Sequence, residues 1–139
     1  MTLTYDEVMA VLEAAGTEQT RRTYRRHGAG EPLFGVKFGD LRPLGKKIGT
    51  DHALAEQLWA SGNTDARLLA CMVADPAEVS EDELDTWLAD IDTYFLVDTF
   101  VAEIASKTPG RLERAQRWIA SDRDRTAQAG WDLMNYVAL

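Results

Sequence analysis

The chain has 139 residues, 45% of them hydrophobic and 27% charged, with 15 Lys and Arg against 23 Asp and Glu. That is about one domain of globular sequence, which excludes low-complexity disorder and needs no metal or disulfide to hold a core. The formal net charge of −8 speaks against a general polyanion binder, and Cys71, the one cysteine, has no partner for an internal bridge.

Helix punctuation fills the chain, and strand patterns are nearly absent. Thr4 and Glu7 make a capping box ahead of Val8, Val11 and Leu12, and Gly16 ends that helix. A second helix is expected from about Thr17 to His27, stopped by Gly28. The segment from Ala29 to Gly39 holds Gly30, Pro32, Gly35 and Gly39, so it reads as a loop, packed down by Leu33, Phe34 and Val36. A third helix follows from about Asp40 to Ile48, with Pro43 required in its first turn, where a missing N–H costs little. Asp51 caps a fourth, with Leu54, Leu58 and Trp59 on one face. Residues Thr64 to Ala74 make a fifth, stopped by Asp75 and Pro76. Ser80 and Glu83 cap a sixth, with Leu84, Trp87 and Leu88 inward. A seventh covers about Asp92 to Ser106, Pro109 opens an eighth, and the last runs from Ser121 or Asp122 to the end.

Nine helices joined by short loops predict an all-α fold, an α-solenoid of antiparallel helix pairs of HEAT-like or armadillo type, with a plain bundle as the alternative. Residues 1–139 are expected to form a single helical repeat domain. The last helix keeps Trp131, Leu133, Met134, Tyr136, Val137 and Leu139 up to the final residue. Such an apolar end calls for a cover, either further repeats of a longer solenoid or a second copy of the chain in a homo-oligomer. No stretch approaches the roughly 20 apolar residues of a membrane span, and Asp6 and Glu7 stand where a signal peptide would be basic. A cytoplasmic protein with no membrane partner is the expectation.

Charge is divided unevenly. Residues 1–50 hold 8 basic and 6 acidic side chains, whereas residues 51–139 hold 7 basic and 17 acidic. Any nucleic-acid contact must therefore come mainly from the first third. There Arg21, Arg22, Arg25 and Arg26 fall within one arc of a helix, followed by Lys37, Arg42, Lys46 and Lys47. Arginine forks suit phosphate oxygens. The alternative is a solvated face paired with the chain's own carboxylates, Glu18 among them.

Asp98 lies in the most apolar helix, and Tyr94 precedes it by four residues, so ring and carboxylate share a face. One reading is an anion beside an aromatic platform, able to stabilise positive charge developing on a sugar or to position a water. The other is an Asp held by hydrogen bonds from a neighbouring loop or an Arg. Trp59, Trp87 and Trp118 read as core, whereas Trp131, near the open end, is a candidate stacking residue. His27, His52 and Cys71 have no metal-ligand spacing, and neither a phosphate-binding Gly-rich loop nor a serine elbow occurs, so no metal and no cofactor is expected.

Several segments together resemble the DNA alkylation repair family, the AlkD-like HEAT-repeat DNA glycosylases. They are Thr23-Tyr24-Arg25-Arg26-His27-Gly28, Glu31-Pro32-Leu33-Phe34-Gly35-Val36-Lys37, Lys47-Ile48-Gly49, the run from Asp51 to Trp59, Asp65-Ala66-Arg67 and Ala129-Gly130-Trp131. The resemblance implies a curved solenoid with a basic concave face. It implies binding of double-stranded DNA and hydrolysis of the N-glycosidic bond of N3- and N7-alkylated purines without a metal. It places the family's Asp at Asp98 and an aromatic partner at Tyr94, where the family has Trp. On this reading Arg21, Arg22, Arg25, Arg26, Lys37, Arg42, Lys46, Lys47 and Trp131 are expected to contact the DNA. The family's Arg just before the segment matching Ala129-Gly130-Trp131 is replaced here, with Ala127 and Gln128 at the candidate positions, and a further site aromatic of the family comes from helices beyond Leu139. A scaffold without glycosylase activity, contacting protein or DNA, is the alternative.

Overall fold

The computed structural model describes residues 2–137, and no strand occurs among them. The described chain divides after Asp75 into two compact units.

The first unit contains α1 (Tyr5–Ala15), α2 (Glu18–Arg26), α3 (Phe38–Ile48), α4 (His52–Ala60) and α5 (Thr64–Val73). Side-chain caps start four of them. Thr4, Thr17, Asp51 and Asn63 each accept an N–H from the first turn, and Glu7 completes the box with Thr4. Those Thr4 contacts hold the Glu7 carboxyl below its ordinary range. α4 packs on α5, and α5 also meets α3 and α1. Leu12, Leu41, Leu58, Leu68 and Leu69 are fully enclosed. α5 is buried nearly all round, as a central helix should be.

The loop between α2 and α3 is packed down, with Leu33 and Val36 buried. Thr17 N–H donates to the Gly35 carbonyl at 3.0 Å, and Thr64 N–H to Pro32 at 3.2 Å. Gly35 sits at φ +80°, where a Cβ would lie 2.7 Å from the Arg21 nitrogen and the Thr17 oxygen. Only glycine fits both that conformation and that approach.

α3 begins two residues earlier than its composition predicts. The Lys37 carbonyl accepts from Asp40 and Leu41, so Pro43 lies inside the helix and not in its first turn. The missing N–H leaves the Gly39 carbonyl without its helical donor. Gly39 is exposed to water and brings no side chain to crowd the ring, which makes the position tolerable.

The second unit contains α6 (Glu81–Ala89), α7 (Tyr94–Glu103), a 3-10 turn (Ala105–Lys107), α8 (Arg111–Ile119) and α9 (Asp124–Val137). The expected seventh helix thus breaks at Ile104, and the eighth starts at Arg111 with Gly110, not Pro109, at its N-cap. α8 and α9 form the tightest pair. A Cβ on Gly130 would come 2.5 Å from the Ile119 nitrogen, so glycine lets the two backbones close. Trp87 and Trp118 are core, as Trp59 is in the first unit. Trp118 Nε1–H donates to Asp85 at 2.9 Å, and Arg123 donates to the Leu88 and Ile91 carbonyls at the end of α6. Of the apolar run at the chain's end, Leu133 is buried and Trp131 is exposed, whereas Leu139 lies outside the described residues. No helix among the described residues is long and apolar enough to cross a membrane.

Candidate functional site

Within the second unit, α7 turns Leu96, Val97, Phe100 and Val101 inward. Tyr94 and Asp98 are left on the outer face, Tyr94 41% exposed and Asp98 also exposed. Tyr94 meets Phe95 edge-on, with ring centroids 6.0 Å apart. α9 supplies contacts that the sequence does not show. Gln128 Nε2–H donates to Asp98 Oδ1 at 3.0 Å and to the Tyr94 carbonyl at 3.1 Å. The Arg125 guanidinium donates to Gln128 Oε1, which fixes the amide with its N–H₂ toward the acid. Of the two candidate positions for the family's arginine, Gln128 is therefore the one that meets Asp98.

One turn further along α9 is Asp132, within hydrogen-bonding reach of Asp98. Burial pushes the Asp132 carboxyl up to about 7, with the facing Asp98 carboxylate adding to the shift and Gln128 opposing it. Asp98, Val101, Asp132, Asn135 and Tyr136 line a pocket of about 390 Å³. Trp131, adjacent to Asp132 in sequence, is 62% exposed.

The raised Asp132 value has a consequence for stability. The native carboxyl keeps a proton that the unfolded chain releases near its ordinary value of 3.8. The native state thus binds more protons between the two values, and unfolding free energy falls as pH rises from about 4 through 7. Urea unfolding at pH 5 and pH 8 should show that fall, and Asp132→Asn should reduce it.

In the first unit several of the basic residues pair within the chain. Arg21 is half-buried and tied down, Nε to Glu18 at 2.9 Å and Nη1 to the Phe34 carbonyl at 2.9 Å. Its hydrogen bond holds the Glu18 carboxyl below the ordinary range. Arg25 pairs with Glu31 at 2.9 Å and with Glu18 at 3.6 Å, and Arg22 reaches Glu18 at 3.6 Å. Pairing with the chain's own carboxylates thus occupies part of the cluster. Arg26, Lys37, Arg42, Lys46 and Lys47 are exposed, with Lys37 at the N-cap of α3 and Lys46 and Lys47 in its last turn.

The fold is shared with known proteins. The chain is 30% identical over 136 residues to an uncharacterised protein of Listeria innocua and, to the same extent, to one of Listeria monocytogenes. Each match covers 94% of this chain and 61% of the relative, so the chain spans about three fifths of their length. A solved structure superposes with a TM-score of 0.89 at 38% identity, covering 95% of this chain and 56% of the other. It is described as a new family of proteins related to the HEAT-like repeat DNA glycosylases with affinity for branched DNA structures. The family described as DNA alkylation repair enzyme matches residues 8–138, nearly the whole chain, and with the HEAT-like all-helical fold this chain belongs to that family.

Proposed function

We propose that this chain binds double-stranded DNA through the exposed cations of α2 and α3 and hydrolyses the N-glycosidic bond of N3- or N7-alkylated purines at Asp98 and Tyr94. The observation that carries this reading is the exposure of a carboxylate and an aromatic ring side by side on α7. An alkylated purine carries a positive charge, which the face of the Tyr94 ring attracts. As the bond between C1′ and the purine nitrogen breaks, positive charge moves to the sugar, where Asp98 opposes it. The purine leaves with the bonding pair, which cancels its positive charge, and water adds to C1′ and gives up a proton to the solvent. Incubation of the intact chain with methylated duplex DNA should release 7-methylguanine or 3-methyladenine. No release would remove the hydrolytic claim.

A second reading is structure-selective DNA binding without hydrolysis. It is favoured by Gln128, whose neutral amide occupies Asp98 where the family's guanidinium would stand, and by the branched-DNA affinity of the similar protein. Tight binding of a four-way junction with no base release would favour it. Both readings need the cations of α3. Replacing Lys46 and Lys47 together by Ala should reduce the slope of log affinity against log salt by about 2, close to 0.9 per phosphate contact. An unchanged slope in a binding titration would place the contact elsewhere.

A further inference from the structure

The pocket between α7 and α9 contains a group that the proposed hydrolysis does not use. Asp132 follows Gln128 by one helical turn, and its carboxyl meets that of Asp98 within hydrogen-bonding reach. Its Oδ2 is buried and has no hydrogen-bond donor among the described residues. Two carboxyl oxygens at that separation repel unless a proton lies between them. We propose that Asp132 is a positioning residue for Asp98, carrying a proton and donating it in a hydrogen bond to the Asp98 carboxylate. This rests on the reading of Asp98 as the acting anion.

The geometry gives that hydrogen bond a purpose. Gln128 donates to Oδ1 of Asp98 and, through its own carbonyl, is held by Arg125. An O–H from Asp132 supplies a second donor, so the exposed carboxylate is fixed by two hydrogen bonds from one helix. The pair then carries one negative charge, and a cationic base meets a single oriented anion. Once Asp132 ionises, the pair holds two charges, its donor is gone and Asp98 is held by Gln128 alone.

The groups that act on the Asp132 proton are Asp98 from α7 and Gln128 from α9, with Tyr136 also in the pocket lining. Lys107 of the 3-10 turn meets Glu103 at 3.7 Å, and Asp85 of α6 meets Arg117 and Trp118 of α8. α8 approaches α9 at Gly130, through the Ile119 and Ala115 backbone.

Carbon NMR of the aspartate carboxyls in the intact chain tests the pair directly. One carboxyl should titrate near 7. That signal should vanish in Asp132→Asn and move toward lower pH in Asp98→Asn. No aspartate titrating above about 5.5 in the wild-type chain would overturn the proposal. Purine release tests the positioning role. The wild-type rate should fall as pH rises through about 7, whereas Asp132→Asn, whose amide still donates, should keep the rate at pH 6 and flatten the fall. Asp132→Ala should lose about tenfold at pH 6, and equal rates for the Asn and Ala variants would also overturn it. Should the wild-type chain release no base, the titration decides alone. A carboxyl near 7 then upholds the pair while the hydrolytic reading fails.

Discussion

Asp98→Asn is expected to lower release of alkylated purine by about 10²- to 10³-fold, the usual loss when one preorganised electrostatic stabiliser is removed. The substitution is nearly isosteric, and an asparagine oxygen can still accept the Gln128 amide hydrogen bond. α7 would stay anchored by Val97, Phe100 and Val101, which are fully enclosed. What disappears is the charge that opposes the developing cation on the sugar. DNA affinity should hold or rise slightly, since one negative charge has left the surface. Single-turnover release from methylated duplex, measured beside equilibrium binding of the same duplex, separates the two effects. Equal release by wild type and variant would show that the carboxylate has no part in bond cleavage, whatever else the chain binds.

Tyr94 and Asp98 were legible in the sequence because their relation is local. An i, i+4 pair on an otherwise apolar helix announces a shared face whatever packs nearby. Arg125 and Asp132 were not, and Gln128 was visible only as one of two positions for the family's arginine, since all three lie 27 to 38 positions after those residues and only the packing of α9 on α7 makes them neighbours. The spacing of Gln128 and Asp132 does put them on one face of α9, but nothing in the sequence says which helix that face meets. Helix starts followed the same rule. Thr4, Asp51 and Ser80 cap through bonds three residues away and were readable, whereas α3 starts at a lysine with no side-chain cap, set by the loop before it. Pro43 therefore falls inside the helix and not in its first turn. The tryptophans of α4, α6 and α8 read correctly as core because aliphatic neighbours at helical spacing leave little choice of direction.

Asp65→Ala should cost about 3–5 kcal/mol of folding stability, a large share of what a domain of this size has. Asp65 is fully buried in the first turn of α5, yet its carboxylate turns away from that turn to the loop before α3. Oδ2 accepts the Phe34 N–H at 2.6 Å and the Gly35 N–H at 3.1 Å, while Oδ1 accepts the Val36 N–H at 2.6 Å. Its charge is also favoured by the N-terminal end of α5. The Tyr24 hydroxyl donates to the Val36 carbonyl beside it, and burial and then the Asp65 charge raise that phenol's ionisation well above its usual range. Truncation to alanine leaves three backbone donors without an acceptor, each worth about 1–3 kcal/mol when buried. Asn retains an acceptor but turns an N–H₂ toward at least one of the same N–H groups, so it should fall between. Urea unfolding should show a lower midpoint with an unchanged slope. Because this loop delivers Lys37 and sets the start of α3, the same variant should weaken DNA binding at temperatures where it is still folded. A loss below about 1 kcal/mol would mean that water replaces the carboxylate and that the loop is held by Arg21 and Tyr24 instead.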